Sequence, residues 1–123
     1  MANELTQQYP LFGNNPDRVV QAFRLPIGAT GAPGTISGGG AGWSFTRSSA
    51  GTYTFTFPKV VDTAIQIALE SPAGTVKYHV LTAISATNGT GGFITYNTAG
   101  TATDPASGDV IHFLAVHKYK GVD

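Results

Sequence analysis

The sequence predicts an all-β chain, an antiparallel β-sandwich or jelly roll of about seven to eight strands with an extended N-terminal arm. Three observations predict it. Apolar and polar residues alternate in segment after segment, the period of a half-buried strand. Clusters of Gly, Pro, Asn, Asp and Ser separate those segments, as turns do. No stretch carries a helical period: the nearest, "VVDTAIQIALE", is rich in β-branched residues and fits period 2 better.

Residues 1–17, "MANELTQQYPLFGNNPD", are polar and broken by proline, with Leu5, Tyr9, Leu11 and Phe12 scattered through them. They show neither period. The segment reads as an arm that docks those four residues on a neighbouring surface, a frayed terminus being the alternative. Residues 18–123 form the β-sandwich domain. Its first strand, "RVVQAFRL" (18–25), alternates and stops at Pro26.

Residues 28–43, "GATGAPGTISGGGAGW", contain seven glycines and no charge. Gly28, Gly31 and Gly34 imitate collagen triplets, but Ser37 breaks the register, and three triplets make no free-standing triple helix. A phosphate-binding loop needs Lys-Ser/Thr after its last glycine and then a helix; here Trp43 and a strand follow. Two readings stay open. One is a contact loop whose Gly38, Gly39 and Gly40 lie close against another backbone, as at a symmetry axis; the other is disorder.

"GWSFTR" (42–47) sets Trp43, Phe45 and Arg47 on one face, and "TYTFTF" (52–57) sets Tyr53, Phe55 and Phe57 against three threonines. Ala50-Gly51 between them fits a two-residue hairpin loop. "VDTAIQIALE" (61–70) sends Val61, Ile65, Ile67 and Leu69 inward and Asp62, Gln66 and Glu70 outward. "TVKYHVLTAI" (75–84) follows the turn "SPAG", and "GGFITYNT" (91–98) follows "ATNGTG". The last strand, "DVIHFLAVHKY" (109–119), is apolar on both faces through its middle, the mark of a central strand.

A chain of 123 residues is one domain, able to bury roughly two-thirds of its unfolded surface. Charged residues make up 11%, and seven acids balance seven bases. An average soluble domain holds about 25%. A neutral surface of Thr, Ser, Asn and Gly lacks the basic footprint of nucleic-acid binding and the polybasic patch of membrane-surface binding. So few charges also leave sheet edges with little to blunt them, which implies pairing with copies or with a scaffold. Cysteine is absent, so disulfides and thiolate metal sites are excluded. No apolar run approaches the roughly 18 residues of a membrane span, and "MANELTQQYP" lacks the pattern of a signal peptide. A disulfide-free chain fits a cytoplasmic assembly pathway without excluding export.

Catalytic or metal chemistry finds little purchase. His112 and His117 are five residues apart on one strand and point to opposite faces. His79 could meet His112 from a neighbouring strand, but two imidazoles without a third ligand make a poor zinc site. Asp104 and Asp109 flank "DPASGD", where both fit turn-shaping roles; calcium there would need several backbone carbonyls. Asp62 and Glu70 lie about 26 Å apart along a strand, too far for paired carboxylate work. No "GxSxG" occurs. The expectation is therefore no enzyme, no cofactor and no metal. Trp43, Tyr53, Tyr78, Tyr96 and Tyr119 could present ring faces to a glycan, yet Trp43 and Tyr53 alternate in step with Phe45, Phe55 and Phe57, which favours the core.

"SSAGTYTFTFPKVVDTAIQIALESP" and, later, "GGFITYNTAGTATDPASGDVIHFLAVHK" resemble small structural proteins of tailed bacteriophages. The shared features are an alternating Gly-aromatic strand ending in proline (Gly51 to Pro58) and an aliphatic strand after it. An "N-x-x-G-x-x-x-D-P-x-x-G-D" turn (Asn97 to Asp109) then leads into a long apolar closing strand. The likeness covers about residues 42–119 and is nearest to capsid decoration, or cement, proteins. It implies a β-sandwich or jelly roll on the outer surface of the virion, assembled in the host cytoplasm. It also implies a homotrimer that locks neighbouring major capsid protein subunits together, with neither nucleic acid nor membrane as a partner. The "GxYxF" pattern at 51–55 is also similar to the globular heads that follow collagen stalks in complement-like proteins. Trimeric tail-fibre tips and receptor- or glycan-binding modules are the alternatives.

Overall fold

The computed structural model describes residues 18–119. Eight strands follow one another: β1 (Arg18–Pro26), β2 (Ser37–Gly38), β3 (Ser44–Ser49), β4 (Thr52–Thr56), β5 (Asp62–Glu70), β6 (Tyr78–Ser85), β7 (Thr90–Tyr96) and β8 (Val110–Lys118). They make two antiparallel four-stranded sheets, ordered β2-β1-β8-β5 and β3-β4-β7-β6. Among the described residues the one helical element is a single 3-10 turn at Ala29–Gly31. The expected all-β, sandwich-like architecture is thus observed, with strand limits within three residues of those the alternation predicts.

Alternation determines the core. On β1, Phe23 and Leu25 turn inward; Tyr53 and Phe55 do so on β4, Phe93 on β7, and Ile111, Phe113 and Ala115 on β8. The two layers interlock through aromatic rings. Phe23 stacks on Phe113 at 5.0 Å within the first sheet, and Phe113 meets Phe93 of the second edge-on at 5.8 Å. Offset and edge-on ring pairs of this kind add about 0.5–1.5 kcal/mol beyond the area they bury. β8 is central, held by β1 over nine residue pairs and by β5 over nine.

Turn chemistry places the strands. Ala50-Gly51 closes the β3–β4 hairpin with Gly51 at φ +69° and Ser49 opposite Thr52. A bulge between Arg47 and Ser49 precedes it.

Three expectations need correction. Val61 is 46% exposed rather than inward, because it lies outside β5, where its N–H still reaches Lys118 O but no opposing layer covers it. β2 was not foreseen: two residues of the glycine stretch pair with Phe23 and Arg24 along the edge of β1. The stretch is therefore laid down against its own first strand. His79 and His112 do not neighbour one another, since β6 and β8 belong to different sheets.

Candidate interaction face

Side chains on the outer face of the first sheet fall into level rows, because β1, β8 and β5 pair without a register shift. From one end to the other the rows read Arg18–Lys118–Asp62, Val20–Val116–Ala64, Ala22–Leu114–Gln66, Arg24–His112–Ala68 and Pro26–Val110–Glu70. Successive rows stand about 7 Å apart and strands about 5 Å apart. The middle is apolar and open to solvent, with Leu114 43% and Val20 38% exposed. Cavities of about 370 and 240 Å³ flank it, one between β1 and β8, the other between β8 and β5. A contiguous apolar patch rimmed by charge marks a contact surface more often than chance exposure does.

The rim is ordered by charge. His112 Nε2 lies 2.8 Å from Glu70 Oε1, and this hydrogen bond holds the Glu70 carboxyl below its usual range. Arg18 and Arg24 stand on β1, and Asp62 and Glu70 on β5, with β8 between. The outward placing of Asp62, Gln66 and Glu70 agrees with the sequence. Missed were Val20, Ala22, Ala64, Leu114 and Val116 as one surface. The signal lay in the closing strand, whose two apolar faces fit a strand covered on both sides, whereas among the described residues only one is covered.

The glycine stretch borders the same sheet. Gly39 N–H donates to Ala22 O at 2.8 Å, and a Cβ on Gly38 would lie 3.0 Å from that oxygen. Gly38 and Gly39 are exposed on the outer side and Gly40 is buried, where a Cβ would strike Ile36. The close backbone approach expected of Gly38, Gly39 and Gly40 is made within the chain. Leu5, Tyr9, Leu11 and Phe12 lie outside the described residues.

Gln21 organises this corner from within. Its Nε2 donates to Gly39 O and Ala41 O, and its Oε1 accepts from Trp43 Nε1 at 2.7 Å and from His117 Nε2 at 2.9 Å. Two carbonyls on the amide nitrogen fix its orientation, so the His117 proton sits on Nε2. Nδ1 then accepts the Thr63 hydroxyl at 2.9 Å. His117 is fully buried and neutral, and burial lowers its pKa. It is a core histidine.

The acids divide by role. Asp109 shapes the turn as expected, accepting from Ala106 N–H and from the Ser71 hydroxyl. Asp104 does otherwise. It takes a two-pronged contact from Arg47 at 2.9 and 2.8 Å and accepts Gly51 N–H, which holds its carboxyl below the usual range. Among the described residues, no three His, Cys, Asp or Glu lie close enough to hold a metal ion.

The outer face of the second sheet is different in kind. Ser44, Thr46, Thr54, Thr56, Thr82 and Thr90 put hydroxyls around a shallow cleft of about 390 Å³ floored by Gly91 and Gly92. A Cβ on Gly92 would lie 2.7 Å from Tyr53 O, so the floor stays bare. Beyond it, Tyr78 stacks on Tyr96 at 5.0 Å and is 46% exposed. Trp43 and Tyr53 are core residues at 7% and 1% exposure. No described helix is long and apolar enough to cross a membrane. Compared with models of protein families, with curated proteins and with solved structures, the chain matches none of them.

Proposed function

We propose that this chain is a structural protein of a tailed-bacteriophage virion. In this reading it is a capsid decoration, or cement, protein that acts by adhesion and not by catalysis. It sits on the outer surface of the head as a homotrimer, bridges major capsid protein subunits, and is made in the host cytoplasm. The observation that carries the reading is the open apolar centre of the first sheet around Leu114, set in an otherwise nearly neutral molecule. The chain crosses between sheets after β2, β4, β5 and β7, a connectivity we read as of the jelly-roll type. Residues 1–17 serve in this reading as an arm across a capsid seam.

The mechanism is burial. Apolar surface covered at a seam stabilises the shell by about 25 cal/mol per Å², so a few hundred Å² give several kcal/mol before association costs. Repetition over a lattice by a multivalent particle raises the effect further. The test is to purify heads lacking this protein and add it back. Decorated heads are expected to outlast bare ones under heat, chelation and osmotic shock; equal survival would end the strengthening role.

A second reading, a tail-fibre or glycan-binding module, draws on the exposed Tyr78 ring stacked on Tyr96. Saturable binding to cell-surface sugars that Tyr78→Ala abolishes would favour it over decoration.

A further inference from the structure

The interaction face is chemically lopsided. Both arginines of the face stand on β1, both carboxylates stand on β5, and Leu114 marks the apolar middle on β8. We propose that copies of this chain meet through this face about an axis running along β8, the basic column of each copy lying beside the acidic column of the next. The inference rests on the homotrimer proposed above and deepens it, naming the face, the axis and the residues that pair.

Symmetry selects the axis. Rotation about a line along the strands leaves every row at its own height and brings β1 of one copy beside β5 of the next. Arg18 and Asp62 share a row, so they arrive level. Arg24 stands one row, about 7 Å, from Glu70, a gap that an arginine side chain spans. An axis across the strands does the opposite. It reverses the rows and lays β1 on β1 and β5 on β5, setting Arg18 near Arg24 and Asp62 near Glu70. Like charges brought together in that way cost binding energy, so the charge pattern accepts one arrangement and rejects the other.

Of the remaining charged groups on the face, Lys118 comes towards the axis beside its counterparts, a repulsion that Asp62 in the same row offsets, and His112 fits the arrangement. Lys118 lies on β8 in the row of Asp62, and His112 already holds Glu70 at 2.8 Å through one carboxylate oxygen, leaving the other for the neighbour's Arg24. Leu114 and Val116 come to the axis. Asp62, Glu70 and Arg24 are solvent-exposed in the single chain, so changing them leaves its core intact.

Charge reversal tests this without any shell present. Arg18→Glu with Arg24→Glu, and separately Asp62→Lys with Glu70→Lys, are each expected to lower the assembly mass in sedimentation at low salt while the circular dichroism stays parental. One chain carrying all four changes is expected to restore the parental mass, whereas a mixture of the two variants is not, because a ring of three cannot alternate two kinds of subunit and always keeps one like-charged seam. Retention of parental mass by either two-site variant, failure of the four-site chain to reassemble, or a monomeric parental chain would overturn the proposal. Heads that ignore a well-formed assembly would instead sink the decoration reading alone.

Discussion

The Trp43 indole N–H donates to Gln21 Oε1 at 2.7 Å, and the same oxygen takes the Nε2 proton of His117. One amide therefore ties β1, the strand after the glycine stretch and the closing strand, while its nitrogen clamps the stretch itself. Replacing Gln21 with alanine strands two buried donors. At about 1–3 kcal/mol for each buried group left unsatisfied, a loss of roughly 2–6 kcal/mol is expected in urea unfolding. Limited proteolysis is expected to open residues 38–41 first.

Burial lowers the pKa of both His79 and His117 below 6.5. Between that folded value and 6.5 the unfolded chain binds protons that the native chain refuses. Stability is therefore complete above about pH 6.5 and declines as pH falls through the histidine range. Asp104, held below 3.8 chiefly by its hydrogen bond from Arg47, adds its own decline only when pH drops under about 4. Urea midpoints followed from about pH 8 to pH 3 are expected to show both steps in that order. A flat profile down to pH 5 would contradict the burial of the two imidazoles.

Gly51 and Gly108 both hold positive φ, at +69° and +94°. Their surroundings differ. A Cβ on Gly51 would lie 2.5 Å from Thr103 N and 2.7 Å from Thr95 O, whereas nothing lies within 4 Å of one on Gly108. Gly108→Ala is expected to cost about the 1–2 kcal/mol of the left-handed conformation alone, and Gly51→Ala clearly more. Thermal denaturation of the two variants side by side checks the ranking.

Arg47 and Asp104 form a two-pronged pair near the surface, with side chains 34% and 24% exposed. Removing the arginine is expected to cost no more than about 1 kcal/mol, since exposed pairs contribute little. Asp104→Ala costs more, because Gly51 N–H then loses its acceptor at the hairpin. Equal losses from the two variants would refute that division.

Much of the fold was legible because two-residue periodicity is a local signal. "TYTFTF" could only be a half-buried strand, and Ala50-Gly51 could only be the loop before it. The role of Asp104 was illegible, since its partner Arg47 lies 57 positions away and no local pattern links them. Gln21 was equally hidden: its amide is decisive only once the chain returns past Gly39, Ala41 and His117. The glycine stretch gave away its lack of bulk but not its destination, which depends on where β1 leaves an edge. The interaction face was half visible in the closing strand; Val20 and Ala64 joined it only through register.

The most direct measurement is the sedimentation mass of the parental chain beside Leu114→Arg. Leu114 is 43% exposed in the single chain, so the variant should fold with parental circular dichroism and thermal midpoint. The account predicts a trimer for the parental protein and a monomer for Leu114→Arg at the same concentration. Two folded proteins of identical mass would contradict it.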